Sequence, residues 1–451
     1  MIKLEKEDIL KIVEEEDIQI TRLLYIDNDG IIRGYSSKKE SLESAVNQGF
    51  CIASGMPYFT AFDELVDGSN LGAVGEFRIV PDLDTFKVLP YARKNAALIC
   101  DIKEQTLEDS GVCARTILKN IIEDSEFEPY AAFENEFYFL KHDEQGELQP
   151  ADNSICYTTK GMNEMNEITL DVLEALDKQN IEIEKYHPEY GPGQQEYCLK
   201  YDKILNMADK QIFFRDTIRG IAEKHDLIST FMPKPFNGLA GSGAHINLSL
   251  WKNGENIFYD ENDAHALSET AYYFIGGVLK HIKAVCAFTA STITSYKRLQ
   301  PHNWASAYVC YGHNNREAAV RIPSTDFNRQ MQSKDSTRIE FKPNDPSSNP
   351  YLALAAVLTA GLDGIKNKID PGESVEIDPS NLSEEEKETK NVSSLPRDLS
   401  RALDALEEDK LFREVFGETM ISEYLKMKRQ DWSDFMNHVT SWEKDKYVEI
   451  F

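Results

Sequence analysis

Residues 133–139 read FENEFYF, and no other stretch limits the fold as strongly. Four aromatics in seven residues predict a β-strand. Side chains alternate between the two faces of a strand, so Phe133, Phe137 and Phe139 share one face and Glu134, Glu136 and Tyr138 share the other. The two carboxylates point the same way, about 7 Å apart. Like charges so placed repel unless water or a cation separates them. A lone strand of this kind reads as a half-exposed edge with solvated acids; its companions elsewhere in the chain change that reading.

Two further segments repeat the pattern. In HINLSLW (245–251), His245, Asn247 and Ser249 share a face, backed by Ile246, Leu248 and Leu250. In RIEFK (338–342), Arg338, Glu340 and Lys342 share a face, backed by Ile339 and Phe341. If the three strands lie in one curved sheet, their fronts line a polar concavity. Between them HPEYGPGQQEY sets Glu189 and Glu196 on either side of a Gly- and Pro-rich turn. Five glutamates and one histidine suit hard divalent ions such as Mg²⁺ or Mn²⁺, two or three of them, which take oxygen ligands and tolerate one imidazole.

Arginines form a second set. Arg298 lies in SYKRL, Arg316 and Arg321 in NNREAAVRIP, and Arg338 precedes Glu340. The guanidinium fork matches carboxylate and phosphate. Beside divalent-metal carboxylates it suits phosphoryl transfer from a nucleotide, where catalysis is mainly charge neutralisation and positioning. Taken singly, each arginine reads as a surface ion pair. Neither a P-loop nor a GxGxxG helix start is present; GLAGSG (238–243) is a glycine-rich turn ahead of the His245 strand.

The net charge of −28 argues against nucleic acid, whose phosphates need a basic footprint. The opening MIKLEKEDIL is too charged for a signal peptide, and the apolar run LALAAVLTAGL (352–362) is too short to span a bilayer. The seven cysteines are scattered without a CxxC pair, which fits a reducing compartment and the cytoplasm. Helices are expected over 5–16, 39–47, 111–123, 168–180, 203–224, 267–285 and 350–366, with a mostly helical tail from Pro396. Strands are expected in ITRLLYID, GIIRGYS, GEFRIVPD, AALICDI and IEIEKYH, with DNDG (27–30) a hairpin turn. ESVEIDPSNLSEEEKETKNVSS reads as an acidic surface loop. The texture changes near residue 110, dividing the chain into 1–110 and 111–451.

Together the blocks FENEFYF, GPGQQE, FMPKPFNGLAGSGAHINLSLW, TSYKRLQP, NNREAAVRIP, RIEFKPNDPSSNPYLALAAVLTAGLDGI and the tail LPRDLSRALDALEED…SWEKDKYVEIF resemble the glutamine synthetase family nearly end to end. The resemblance implies an α+β fold: a small β-grasp-like N-terminal domain and a larger catalytic domain with a curved antiparallel sheet and helices. It implies a homo-oligomer of stacked rings, commonly two hexamers, with sites between neighbouring subunits. Glu136, Glu189 and Glu196 would hold one ion, and Glu134, His245 and Glu340 the other. Arg298 would bind the carboxylate of the amino-acid substrate, with the backbone of Gly241 close by. Arg316, Arg321 and Arg338 would handle phosphates. Glu184, Tyr201, Asn247 and Ser249 fall where the family contacts ATP, and Asp67 falls where a neighbouring subunit's aspartate binds and deprotonates ammonium. The implied reaction joins glutamate to ammonia or an amine through an acyl phosphate.

The sequence departs from the family pattern at three places. Ammonia-using members carry a glutamate shortly after SYKRL, where this chain has Trp304, a flat apolar wall that accepts no proton and offers a face to a cation. Lys342 stands where glutamine-forming members usually have arginine; it keeps the charge and loses the fork. NVSS (391–394) lacks the tyrosine that some bacterial members adenylylate. Trp304, with GPGQQE, resembles the branches that join glutamate to organic amines and leads to a γ-glutamyl amide ligase; Lys342 implies that the acid substrate is held differently, and NVSS implies no adenylylation. Glutamine synthetase itself, and an inactive structural or nitrogen-sensing relative, remain alternatives at this point.

Overall fold

The computed structural model describes residues 4–324 and 333–451. Its first sheet contains β1 (Ile20–Ile26), β2 (Ile32–Lys38), β3 (Phe50–Ala53), β4 (Glu76–Pro81), β5 (Lys87–Val88) and β6 (Asn95–Lys103), in the order β2-β1-β6-β4-β3, with β5 also on β6. The DNDG turn closes the β1–β2 hairpin and sets Ile26 opposite Ile32. Asp27 accepts from the backbone N–H groups of Asp29 (3.1 Å) and Ile31 (2.8 Å), and Gly30 takes a φ of 88°. The side chain thus shapes the turn and glycine supplies the left-handed backbone. The amphipathic helix Lys6–Glu15 buries Ile9 and Val13 against Leu98 and Ala96 of β6.

The second sheet has twelve strands: β7 (Glu128–His142), β8 (Leu148–Pro150), β9 (Ile183–Pro188), β10 (Gln194–Leu199), β11 (Asp202–Lys203), β12 (Ile228–Thr230), β13 (Ala244–Lys252), β14 (Glu255–Asn256), β15 (Tyr308–His313), β16 (Ala318–Ile322), β17 (Ile339–Phe341) and β18 (Ser393–Ser394). Its main path runs β18-β15-β16-β17-β13-β7-β10-β9. The three patterned strands are therefore neighbours, in the order β17-β13-β7. The sheet departs from the expected antiparallel arrangement at one pair: β15 and β16 run parallel.

Alternation in β7 works as expected. Phe133, Phe137 and Phe139 are buried, and Phe137 packs its ring within 5.3 Å of Phe231 and 6.1 Å of Phe214. Phe214 belongs to the helix Ile204–Lys224. Behind the sheet, the helices Glu269–Thr289 and Pro350–Asn367 approach closely through glycines: a Cβ on Gly277 would stand 2.1 Å from the Ala360 carbonyl oxygen.

Buried Arg115 ties the first sheet to the helix Ile204–Lys224. It donates to Asp209 through Nε and Nη2, both at 2.8 Å, and to Asp82 and Asp101 through Nη1, both at 2.9 Å. The acidic surface loop needs one correction. Glu384–Thr389 is a helix, started by a capping box in which Ser383 and Glu386 satisfy each other's backbone N–H. Among the described residues, no helix is long and apolar enough to cross a membrane.

Candidate active site

The donor residues meet because adjacent strands carry them in register. β7 supplies Glu134 and Glu136. On one side, β10 places Glu196 opposite Glu136, and β9 places His187 opposite Glu196. On the other, β13 places His245 opposite Glu134, and β17 places Glu340 opposite Asn247. Glu189 follows β9, and its N–H bonds the Gln194 carbonyl at 2.9 Å, which closes the Gly/Pro turn.

His245 is the hub. Its Nδ1 lies 3.3 Å from Glu340 Oε1 and 3.8 Å from Glu134 Oε2, and its Nε2 lies 3.9 Å from Glu136 Oε1. Lys342, only 2 % exposed, brings Nζ to 3.5 Å from both Glu340 Oε1 and His245 Nε2. Arg321 Nη1 donates to Glu340 Oε2 at 2.6 Å. Burial works against ionisation of Glu340, yet Lys342, His245 and Arg321 hold its carboxyl well below the usual range. Burial and Lys342 disfavour a charge on His245, but hydrogen bonds to Glu134 and Glu340 raise its pKa. Burial pushes Glu136 upward against the pull of His245.

A second group sits at the other end. His187 Nε2 lies 3.1 Å from Glu189 Oε2 and 3.5 Å from Glu196 Oε2. Burial opposes protonation of His187, but the two carboxylates raise its pKa to about 9. Burial likewise works against Glu196, yet His187 and the Cys198 thiol bring it down to about 2.

The donors fit hard divalent cations. Glu134, His245 and Glu340 offer ligand atoms within 4.8 Å of one another, as do His187, Glu189 and Glu196. Glu134, Glu196 and Cys198 also fall within that span, so the two groups adjoin. Carboxylate oxygens with one imidazole apiece are the ligands that Mg²⁺ and Mn²⁺ accept. Two features differ from expectation. Glu136 turns Oε2 to the Gly243 N–H at 2.9 Å, and His187 stands beside Glu189 and Glu196. His187 is absent from the sequence expectations; its position two residues before Glu189 was the available signal.

Arg298 is buried beside the cluster. Its guanidinium is buried, with Nη2 donating to the Lys342 carbonyl at 3.1 Å and Nη1 finding no hydrogen-bond partner. Two glycines make room for it. A Cβ on Gly241 would stand 2.8 Å from Arg298 Cγ, and one on Gly243 would stand 2.6 Å from Arg298 Nη2 and 2.9 Å from His245 Nε2. A buried guanidinium nitrogen without a partner is a ready receptor for a carboxylate.

Glu184, Tyr201, Asn247, Ser249 and Arg338 line one cavity of about 470 Å³, together with Glu134. Arg338 Nε donates to Asn247 Oδ1 (2.8 Å), and Asn247 Nδ2 donates to Glu134 Oε1 (3.1 Å), so a single chain of bonds links the cavity to the carboxylate–histidine cluster. Tyr130 stands between Tyr201 and Trp251, with ring centroids at 6.1 and 5.6 Å. This aromatic wall suits a purine base. Tyr130 and Trp251 are not among the sequence candidates, although Trp251 closes HINLSLW.

Three candidates stand apart from the cluster. Asp67 is exposed on a loop held to the helix Glu418–Asn437, where its N–H bonds Gln430 Oε1 at 2.8 Å. Arg316 is exposed in the turn between β15 and β16. Trp304 is 62 % exposed with a φ of 52°. Its N–H is held at 2.8 Å by Glu317 Oε1, a buried carboxylate that sequence reasoning missed.

Comparison with known proteins agrees with this architecture. The glutamine synthetase N-terminal domain model matches residues 7–111, and the glutamine synthetase catalytic domain model matches residues 111–447. Glutamine synthetase of Thermotoga maritima is 35% identical over 453 residues, 98% of this chain and 99% of the relative. Glutamine synthetase of Methanosarcina mazei is 34% identical over 454 residues, 99% of this chain and 98% of the relative. A GmaS/ADP complex superposes with a TM-score of 0.85 at 28% identity, covering 98% of this chain and 99% of its own. A structure described as a novel glutamine synthase homolog gives 0.83 at 28% identity, covering 96% and 99%. The chain belongs to the glutamine synthetase family, ATP-dependent ligases that form carbon–nitrogen bonds.

Proposed function

We propose that this enzyme joins glutamate to an organic amine as a γ-glutamyl amide. The observation that carries the reading is Trp304. A large aromatic face stands exposed where ammonia-using members of the family place a glutamate. It gives a bulky or cationic amine something to pack against.

In this reading a γ-carboxylate oxygen of glutamate attacks the γ-phosphorus of ATP, the bond to ADP breaks, and a γ-glutamyl phosphate forms. The amine nitrogen then attacks the acyl carbon, phosphate leaves, and the nitrogen loses a proton. A carboxylate is a poor electrophile, and phosphorylation supplies its leaving group. Bound Mg²⁺ or Mn²⁺, held by Glu134, His245 and Glu340 and by Glu189 and Glu196 with Glu136 or His187, would offset the repulsion between carboxylate and triphosphate. Arg298 orients the α-carboxylate through its free Nη1, beside the backbone of Gly241. Arg321 and Lys342 carry positive charge at Glu340, where phosphate oxygens gather. Arg338, Asn247, Ser249, Glu184 and Tyr201 position the nucleotide in their shared cavity, and Arg316 adds charge from the rim.

Asp67 lies outside its own chain's cluster, which suits the expected ring in which the 1–110 domain of one subunit completes the 111–451 site of the next. The exposed apolar tail, with Trp442, Val448, Ile450 and Phe451, suits further contacts between stacked rings. The seven cysteines are all unpaired, which suits the cytoplasm.

A second reading is glutamine synthetase itself, favoured by the names of the curated relatives and by the presence of Asp67. Phosphate release with glutamate and ATP, comparing ammonia, methylamine, ethanolamine and polyamines, separates the two. The proposal expects an organic amine to give the highest kcat/KM; a clear lead for ammonia overturns it in favour of the second reading.

A further inference from the structure

Glu317 is a buried carboxylate, only 6 % exposed, with one oxygen in use and one idle. Its Oε1 accepts the Trp304 N–H at 2.8 Å. Its own N–H donates to Asn315 Oδ1 at 3.0 Å, so the turn after β15 holds the residue in place. Its Oε2 is buried and has no hydrogen-bond partner among the described residues. A carboxylate oxygen buried without a donor or a cation is costly. Such an exception calls for a group that satisfies it.

The surroundings leave this charge poorly compensated. Burial and Asp378 push the Glu317 carboxyl upward, against the Trp304 N–H, Lys342 and His302. Lys342 is already shared by Glu340 and His245, with Nζ at 3.5 Å from each. Asp378 Oδ1 accepts the Ser380 N–H at 2.9 Å and its hydroxyl at 2.6 Å, while Oδ2 lies 3.6 Å from exposed His302. Two carboxylates thus share the neighbourhood of Trp304, whose exposed ring offers a face to a cation. Among the described residues, neither carboxylate forms a salt bridge with a lysine or an arginine.

We propose that Glu317, assisted by Asp378, binds the second, protonated nitrogen of a diamine or polyamine substrate. The inference rests on the organic-amine reading above and narrows it to amines with two or more nitrogens. The attacking nitrogen must be neutral to offer its lone pair to the acyl carbon. The charge left to recognise is therefore on the far nitrogen, which stays protonated at neutral pH as a lysine does. Glu317 Oε2 supplies a charge-assisted hydrogen bond and the Trp304 ring a cation–π face. Ammonia and simple alkylamines have no group to place there. Lys342 acts on Glu317 and on the Glu340–His245 pair alike, so this subsite adjoins the donor cluster.

The test measures kcat/KM of the full-length enzyme, with glutamate, ATP and Mg²⁺, for diaminobutane, butylamine and ammonia. In wild type, diaminobutane is expected to exceed butylamine about tenfold, the scale of one charge-assisted contact. Glu317→Gln keeps an acceptor for the Trp304 N–H and loses the charge, so the diamine-to-monoamine ratio is expected to fall to about one. Asp378→Asn keeps the acceptor for Ser380 and is expected to lower the ratio about threefold, as a more exposed charge does. A carboxylate that only props Trp304 would slow both amines alike and leave the ratio unchanged. Equal use of diaminobutane and butylamine, by a wild type that prefers both to ammonia, overturns this inference and leaves the organic-amine reading standing. So does a ratio unaltered in Glu317→Gln or, should that variant not fold, in Asp378→Asn. A lead for ammonia in wild type overturns the organic-amine reading itself, and this inference with it.

Discussion

Glu317 Oε1 accepts the backbone N–H of Trp304 at 2.8 Å, and this bond sets where the tryptophan stands. Trp304 has a left-handed backbone, as do His302 (φ 64°) and Ser306 (φ 65°) nearby. Three such residues in a short segment need outside support. Glu317 supplies part of it, and Ser306 Oγ, donating to the Ala318 carbonyl at 2.8 Å, supplies more. The aromatic wall and the turn bearing Arg316 are thus one assembly.

Replacing Trp304 with glutamate removes the apolar wall and restores a proton acceptor. The kcat/KM ratio for ammonia over bulkier amines is expected to rise about tenfold, the scale on which apolar pocket contacts discriminate. Parallel kinetics with ammonia and ethanolamine check it, and an unchanged ratio denies Trp304 a selectivity role.

Glu317→Gln keeps the acceptor for the Trp304 N–H and removes the charge. Burial, aided by Asp378, raises the carboxyl pKa of Glu317, and its Oε2 is buried without a hydrogen-bond partner. If its charge helps hold a cationic amine, KM for that amine should rise about tenfold, the effect of losing roughly 1.4 kcal/mol of charge-assisted binding. KM for glutamate should stay within twofold of wild type.

His245→Ala and Glu340→Ala each remove a donor from one metal group. Loss of activity should exceed the roughly 10–100-fold typical of losing an outer-shell metal partner. Circular dichroism and oligomer size should stay close to wild type. Wild-type-like turnover in either variant contradicts the donor assignment.

The outer helices carry a pH-dependent contact. His281 Nδ1 lies 2.6 Å from Asp409 Oδ2, and Nε2 lies 3.0 Å from Asp363 Oδ2. Burial and Lys280 oppose protonation of His281, but the two aspartates raise its pKa above the ordinary 6.5. A raised folded pKa gives stability that is fully present below 6.5 and lost as pH rises through the folded value. His281→Gln should therefore cost roughly 1–3 kcal/mol, the scale of charged hydrogen bonds, in urea unfolding at pH 6. That cost should shrink as pH rises above 6.5 and through the folded value. A difference that stays constant with pH contradicts the ionic role.

Much of the site is legible in the sequence because period-two alternation survives folding. Glu134 and Glu136 in β7, His245 and Asn247 in β13, and Glu340 in β17 belong to three motifs that become adjacent strands. Alternation fixes a face but no partner, so it left open that Glu136 turns to Gly243 and that His187 pairs with Glu189 and Glu196. The parallel β15–β16 pair was hidden for another reason. Residues 314–317 alone connect it, whereas parallel neighbours ordinarily need a long crossover. The short return puts Glu317 beneath Trp304, a contact between residues 13 apart that no periodicity announces. Glu384–Thr389 lacks an apolar stripe, and only its capping box marks it as a helix.

The most direct test of the account incubates the full-length enzyme with ATP, Mg²⁺, glutamate and a mixture of ammonia and organic amines, and measures ADP, phosphate and amide product by mass. The account predicts equal amounts of the three, with a γ-glutamyl derivative of an organic amine predominating. ADP released without any amide, or no ATP turnover with any amine, would contradict it.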